Sequence, residues 1–320
     1  MDDDATASEP YDVIVIGGGA AGLSGALTLA RARRTVLVLD AGEPRNAPAA
    51  GVHGFLTRDG LPPAELVRLG AAEVTRYGGR IRHTRATTAR RTAAGFTVET
   101  ADGHAVRGRR LLLATGLHDE LPDVAGLRER WGRDVLHCPY CHGWEFRDEP
   151  IAVLATGPHA AQKALLLRQW SSTVTLLQHT GPAPSAEERE QLAARDIAVV
   201  EGEVVALEID DDRLHGVRLA SGGRVGCRAL ALMPRMRAHA DVAADLGLDP
   251  VEHPMGMGHQ LPAGPGGGTT VAGVWVAGNV ADLFAGVVAA AAAGVTAAAA
   301  INADLVTEDT RRAVERLLPV

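Results

Sequence analysis

The sequence predicts an α/β protein in which a nucleotide-binding βαβ unit occurs twice, and three observations carry that prediction. Residues 11–16, Tyr-Asp-Val-Ile-Val-Ile, are a short apolar run ending in glycines, as expected of a strand buried in a parallel sheet. Gly17-Gly18-Gly19-Ala20-Ala21-Gly22 then opens a helical stretch to about Arg33, and residues 35–39 form a second apolar strand ending on Asp40. A similar strand–helix–strand pattern begins about 140 residues later, with strands at 151–154 and 173–177 flanking a helix at 159–170. Alternation of this kind implies parallel sheets covered by helices.

The remaining elements follow in order. Residues 61–79 read as a helix, and 81–109 as short strands with turns at Ala94-Gly95 and Asp102-Gly103. Leu111-Leu112-Leu113-Ala114 is another buried strand, closed by Thr115-Gly116. Strand-rich sequence runs from 198 to 233, and the glycines of 264–268 mark a surface turn. Val274-Trp275-Val276-Ala277 leads through Gly278-Asn279 into an Ala-rich helix.

Composition narrows the function. A chain of 320 residues with 46% hydrophobic and 22% charged residues is globular and long enough for two domains. A net charge of -7 argues against nucleic acid, since phosphate binding needs clustered Lys and Arg. Arg31, Arg33 and Arg34 are expected on a solvated face. Met1-Asp2-Asp3-Asp4 lacks the basic and apolar regions of a signal peptide. The apolar run at 285–301 is mostly Ala, Gly and Val, short of a membrane span of roughly 18–20 strongly apolar residues, so a buried helix is expected. A cytoplasmic protein without membrane contact follows, in which three cysteines do not form a structural scaffold.

The first glycine loop has the context that a bare GxGxxG lacks. Gly17 permits the tight turn, Gly19 lets backbone approach a pyrophosphate, and Gly22 allows close helix–strand packing. The helix start offers unsatisfied N–H groups and positive dipole to phosphates, while Asp40 can accept from a ribose diol. These residues alone leave FAD and NAD unresolved.

His137-Cys138-Pro139-Tyr140-Cys141-His142 admits a redox pair, c-type haem attachment, a zinc site or two buried structural cysteines. Haem attachment usually needs export, and structural zinc usually takes a second distant ligand pair, whereas Cys227 is solitary. No metal is therefore expected. A Cys-x-x-Cys at a helix start lowers a thiol pKa and supports disulfide exchange, so the redox reading is preferred.

Taken in order, the glycine loop with Asp40, Ala114-Thr115-Gly116, the mid-chain Cys pair and the stretch from Gly273 to Asn279 resemble the low-molecular-weight thioredoxin reductase family of flavoproteins. The resemblance implies two Rossmann-like domains, the second inserted in the first: 1–119 with 241–320 binding FAD, and 120–240 carrying the Cys pair. It implies a homodimer, and an FAD site drawn from Gly17, Gly19, Ala20, Ala21, Gly22, Asp40, Ala41, Arg45, Asn46, Thr115, Gly116, Gly278, Asn279, Gly286 and Val287. Cys-Pro-Tyr-Cys-His-Gly-Trp-Glu at 138–145, Pro44-Arg45-Asn46 and the stretch from His53 to Gly60 are similar to the dithiol oxidases that close disulfides in gliotoxin- and holomycin-type metabolites. This likeness implies a dithiol substrate and dioxygen as acceptor. Cys138 would meet the substrate, Cys141 would face the flavin, and His142, standing where ordinary reductases have an acid, would be the base.

Departures from the family pattern sharpen the reading. The second loop is Ala155-Thr156-Gly157-Pro158-His159-Ala160, with one glycine, and Gln178-His179-Thr180 follows the next strand without arginine. An alanine Cβ where backbone should approach phosphate, and a proline without N–H, predict a scaffold that has lost its nucleotide. Asn279 stands where an Asp is usual, and Gly286 where a Gln commonly lies near the flavin.

Overall fold

The computed structural model describes residues 9–317, so the acidic Met1–Asp4 stretch lies outside the described residues. The chain begins with β1 (Tyr11–Ile16), α1 (Ala20–Arg31), β2 (Val36–Asp40), α2 (Pro63–Arg76), β3 (Arg80–His83), β4 (Ala86–Thr92), β5 (Gly95–Thr100) and β6 (Ala105–Leu113). There follow β7 (Val135–Leu136), the short α3 (Pro139–His142), β8 (Ile151–Leu154), α4 (Ala160–Leu167), β9 (Val174–Leu177), α5 (Ala186–Ala194) and β10 (Ala198–Val200). The strands β11 (Val204–Asp210), β12 (Arg213–Leu219), β13 (Arg224–Gly226), β14 (Ala229–Leu232) and β15 (Val274–Val276) precede a final helix, α6 (Val287–Leu317).

Backbone contacts divide the chain into two units. One comprises Met1–Arg45, Ala64–His118 and Met236–Val320; the other comprises Asn46–Pro63 and Asp119–Arg235. The stretch 46–63, which the sequence assigns to the first domain, thus packs with the second unit.

In the first unit the strand order is β3-β2-β1-β6-β5-β4, with β15 also paired to β6. The strands β3, β2, β1, β6 and β15 run parallel, but β4, β5 and β6 form antiparallel hairpins. The parallel sheet thus carries the short strands expected at 81–109 as antiparallel hairpins, which makes it a mixed sheet. Period-2 alternation sorts the core: Ile14 and Ile16 enter one cluster with Leu37 and Leu39, while Val13 and Val15 enter the other with Val36 and Val38.

On the Val13/Val15 face, α1 and α6 approach closely because the contact is made of small residues. A Cβ on Gly294 would lie 2.0 Å from the Ala21 carbonyl oxygen. Two expectations change here. The Ala-rich helix runs to Leu317, and only one stripe of it is buried: Ala290, Gly294, Ala297, Ala298, Ile301 and Leu305. Among the described residues α6 is the one helix long and apolar enough to cross a membrane, yet its buried stripe is committed to α1. Arg34 is not on a solvated face either: it bonds Asn302 and Asp309 of α6.

The second unit carries a parallel sheet in the order β10-β9-β8-β14-β7 and a separate antiparallel sheet, β11-β12-β13. All four residues of β8 are buried, as a central strand covered on both faces requires.

Candidate active site

The first glycine loop is fixed by backbone on every side. Gly17 donates to the Leu39 carbonyl at 2.8 Å and takes φ +107°, where a Cβ would lie 2.2 Å from the Ala114 oxygen. Gly22 is equally confined, its Cβ position being 1.8 Å from the Gly17 oxygen. Gly19 is different: a Cβ there would meet nothing within 4 Å. It precedes α1, whose start has no side-chain cap, so N–H groups at Ala20 and Ala21 open onto that space. The turn is thus closed beneath and open above, a cradle that a side chain at residue 19 would fill.

Neighbouring strand ends converge on it. The Asp40 carboxylate accepts from Gly18 N at 3.0 Å, with exposed Ala41 beyond it. Gly278, at φ +76°, stands where its Cβ would be 2.8 Å from that of Ala21. Thr115 donates to the His239 carbonyl at 2.6 Å, and His239 N donates to the Gly116 carbonyl at 3.0 Å. Gly286 is exposed and its carbonyl accepts from Ala290 N, so it begins α6 just before Val287. Arg45, the last residue of its segment of the first unit, and Asn46, the first of the second, are half-buried, and the Asn46 carbonyl accepts from Ala49 N.

Asn279 does more than replace a charge. Its amide nitrogen donates to the carbonyls of Asp282 and Ala285, each at 2.9 Å, and closes the turn leading into α6. A carboxylate has no N–H and could not do this.

In the second unit, Cys138 and Cys141 form a disulfide across α3, with Cα atoms 5.2 Å apart. Cys138 occupies the N-cap, and Cys141 N donates to its Sγ at 3.2 Å. Trp170 supports this turn, stacking edge-on against Tyr140 at 5.4 Å. Gly143 is required for that seat, since a Cβ would lie 3.0 Å from the Trp170 ring. Sequence reasoning passed over Trp170, which carries no local motif. His142 is half-buried, and its Nε2 is buried with no hydrogen-bond partner. Burial is the largest influence and pulls its pKa below the ordinary histidine value; Glu145 opposes this and His53 adds to it. The ring is therefore held neutral at neutral pH, with a nitrogen open to accept a hydrogen bond or a transferred proton.

The second glycine-poor turn differs physically from the first. Ala155 is buried and its carbonyl accepts from Gly181 N at 2.7 Å. Thr156 donates to the Met233 carbonyl at 2.9 Å. Lys163, 6% exposed, donates its ammonium to the His137 carbonyl, directly before Cys138. After β9, His179 accepts from Val204 N at 3.1 Å. These groups are used for packing and backbone pairing.

Lys163 makes a testable claim. Burial pushes its pKa down to about 8 from 10.5. The fold thus bears the cost of a buried ammonium below pH 8, and stability is regained as pH rises from 8 toward 10.5. Cys227 acts in the opposite sense: its thiol, pushed up to about 12 chiefly by burial, gives stability that is full below 9.0 and lost toward 12. Comparing wild type with Lys163→Met cancels the Cys227 part. Wild type should gain up to about 3 kcal/mol relative to the variant between pH 7 and 10.5. Parallel pH dependences in urea unfolding would show that this ammonium is solvated.

Among the described residues no cluster of His, Cys, Asp or Glu could hold a metal ion. A closed cysteine pair on one Rossmann-like unit and a dinucleotide cradle on the other define a class, the two-electron disulfide oxidoreductases. Residues 11–296 match the pyridine nucleotide-disulphide oxidoreductase family, and the chain belongs to it. It is similar to thioredoxin reductase sirT of Leptosphaeria maculans, 31% identical over 310 residues, covering 87% of this chain and 89% of that protein. Of solved structures, HlmI is similar at TM-score 0.90 and 45% identity, covering 96% of each chain. An oxidoreductase from Agrobacterium tumefaciens is similar at TM-score 0.88 and 37% identity, covering 93% of this chain and 99% of that one. The protein is an enzyme of the thioredoxin reductase-like group, and its cofactor is FAD.

Proposed function

We propose that this enzyme is a dithiol oxidase that closes a disulfide in its substrate and uses dioxygen as the electron acceptor. The observation that carries the reading is the second turn, where Ala155, Pro158 and buried Lys163 stand in place of a glycine-rich phosphate loop. Without a nicotinamide donor, the electron pair has to come from the substrate dithiol. FAD would be held by the cradle at Gly17–Gly22, by Asp40, Ala41, Arg45, Asn46, Thr115 and Gly116, and by the segment at Gly278, Asn279, Gly286 and Val287. When bound, it accepts the electron pair from the reduced cysteines and passes it to dioxygen, giving hydrogen peroxide.

The chain's own residues account for the sulfur chemistry. A substrate thiolate attacks Cys138 Sγ, and the Cys138–Cys141 bond breaks, releasing Cys141 as a thiolate. The second substrate thiol, losing its proton to His142, attacks the substrate sulfur of the mixed disulfide and releases Cys138. The substrate leaves as a disulfide, two electrons poorer. A homodimer in the cytoplasm belongs to the same proposal. Val288, Val295 and Val306, each 45–49% exposed along α6, offer an apolar stripe for the second copy.

The test is anaerobic mixing, followed by oxygen uptake. A generic dithiol should bleach the flavin absorbance, and NADPH should not. Rapid bleaching by NADPH would favour a second reading, a disulfide reductase, which the name of the Leptosphaeria relative supports.

A further inference from the structure

Lys163 lies in the first turn of α4, in the unit that carries the cysteine pair. A lysine this close to a phosphate-type turn would ordinarily extend toward an anion, but only 6% of this one is exposed. Its ammonium donates to the His137 carbonyl, and that oxygen belongs to the peptide group whose nitrogen is that of Cys138. Among the described residues no carboxylate pairs with it. Leu154, Thr156, Gly157, Ala160 and Met233 line the small cavity beside it, and none of them is ionisable. The titratable side chains on the adjoining segments are His137, Cys138, Cys141 and His142 of the redox turn and His159 at the head of α4. The helix α5 packs against α4, and its Glu187, Glu188, Arg189 and Glu190 make no pair with Lys163.

A buried ammonium without a counter-ion is costly. In the closed disulfide the neighbouring sulfurs are neutral and offer it no anion. Opening the disulfide supplies one, a thiolate on the residue whose peptide the ammonium already holds. We propose that Lys163 is a positioning residue whose charge, fixed on the Cys138 peptide, stabilises the thiolate form of Cys138 and so favours the reduced cysteine pair. It acts through the His137 carbonyl and not on the substrate, and it rests on the proposed role of Cys138 as the sulfur that meets substrate. Two electrons pass from a substrate dithiol into the Cys138–Cys141 bond, which breaks as the substrate sulfurs join. One thiol proton ends on Cys141 and the other goes to solvent, leaving Cys138 as the thiolate. Burial lowers the Lys163 pKa only to about 8, so the group is mostly charged at pH 7. Stabilising the reduced form makes a cysteine pair a stronger oxidant of dithiols, the direction an oxidase needs.

The holoenzyme is tested without oxygen in glutathione redox buffers at pH 7, the cysteines being trapped by alkylation and counted by mass spectrometry. Two glutathiones supply the electron pair and leave as their disulfide. Lys163→Met keeps the bulk and removes the charge. It should lower the equilibrium constant for reduction about tenfold, about 30 mV in potential, and slow alkylation of reduced Cys138 about as much. Lys163→Arg keeps the charge and should stay within about threefold of wild type in both. A lysine that merely pins the turn would cost both variants thermal stability and leave the potential and the alkylation rate unchanged, which overturns the proposal. Slowing confined to Cys141 overturns it as well. Wild type supplies a check that needs no variant. Above pH 8 Lys163 is mostly neutral in the oxidised protein, and a thiolate should recharge it. Reduction should then take up as much as about one proton more per electron pair than the cysteines alone require, and a proton uptake set by the cysteines alone would sink the idea. Rapid flavin bleaching by NADPH with these shifts intact would remove the oxidase reading and leave Lys163 in its role.

Discussion

A Gly19→Ala variant is expected to fold normally and to emerge from purification colourless. The argument is spatial. At Gly19 the backbone has φ −77° and ψ −171°, which alanine adopts freely. Its Cβ would meet no protein atom within 4 Å, so the fold loses nothing. The methyl group would instead stand in the open cradle above the start of α1, where the pyrophosphate of FAD has to approach backbone. Overpacking of this kind typically costs about 1–3 kcal/mol, or roughly five- to 150-fold in FAD affinity. Gly22→Ala is the contrasting control, because its Cβ would collide with the Gly17 oxygen at 1.8 Å and disturb the turn itself. Visible absorbance per protein and far-UV circular dichroism separate the two. Full flavin content in a folded Gly19→Ala protein would remove this loop from the FAD site.

The glycine loop was legible because its demands are local. Gly22 is constrained by the Gly17 oxygen of the same strand–turn–helix, and although Gly17 is confined by the distant Ala114 carbonyl, the turn that needs both glycines can be read in a dozen residues. The cysteine pair was legible for the same reason. What escaped was set by partners distant in sequence. Charged residues end the apolar run near Ile301, and nothing in that run marks how far the helix continues. In the fold Asp304, Glu308 and Asp309 are met by Arg110, Arg109 and Arg34, and α6 continues to Leu317. The side of the chain on which 46–63 packs, the seat that Trp170 gives α3, and the placing of Lys163 under His137 are of the same kind. Each depends on a contact that no periodicity announces.

Asn279 gives the complementary lesson. From sequence it was a departure that kept hydrogen-bonding capacity while losing charge. The structure shows that its donors are committed to the carbonyls of the turn before α6. An Asp in that geometry would face several carbonyl oxygens with a negative charge. The substitution therefore belongs with its local turn, and the residue could be interpreted only once that turn was seen.

The largest effect is expected at the cysteines, where either single substitution should reduce dithiol oxidation below about a thousandth of wild type. The two variants should nevertheless differ in what they retain. Exposure does not distinguish the sulfurs, since both are half-buried. Hydrogen bonding does: Cys141 N points to Cys138 Sγ at 3.2 Å, and no hydrogen bond of this kind favours Cys141. A donated N–H stabilises a thiolate, so Cys138 is the sulfur better able to carry charge during exchange. Cys141→Ser should therefore trap the product of the reaction, a cyclic disulfide, as an adduct on Cys138, and release it on addition of a monothiol. Cys138→Ser should form little adduct. In the reduced wild type, alkylation should label Cys138 first. Intact-mass and peptide mass spectrometry read both results. An adduct confined to Cys141, with Cys141 alkylated first, would reverse the two roles and put the substrate on the other sulfur.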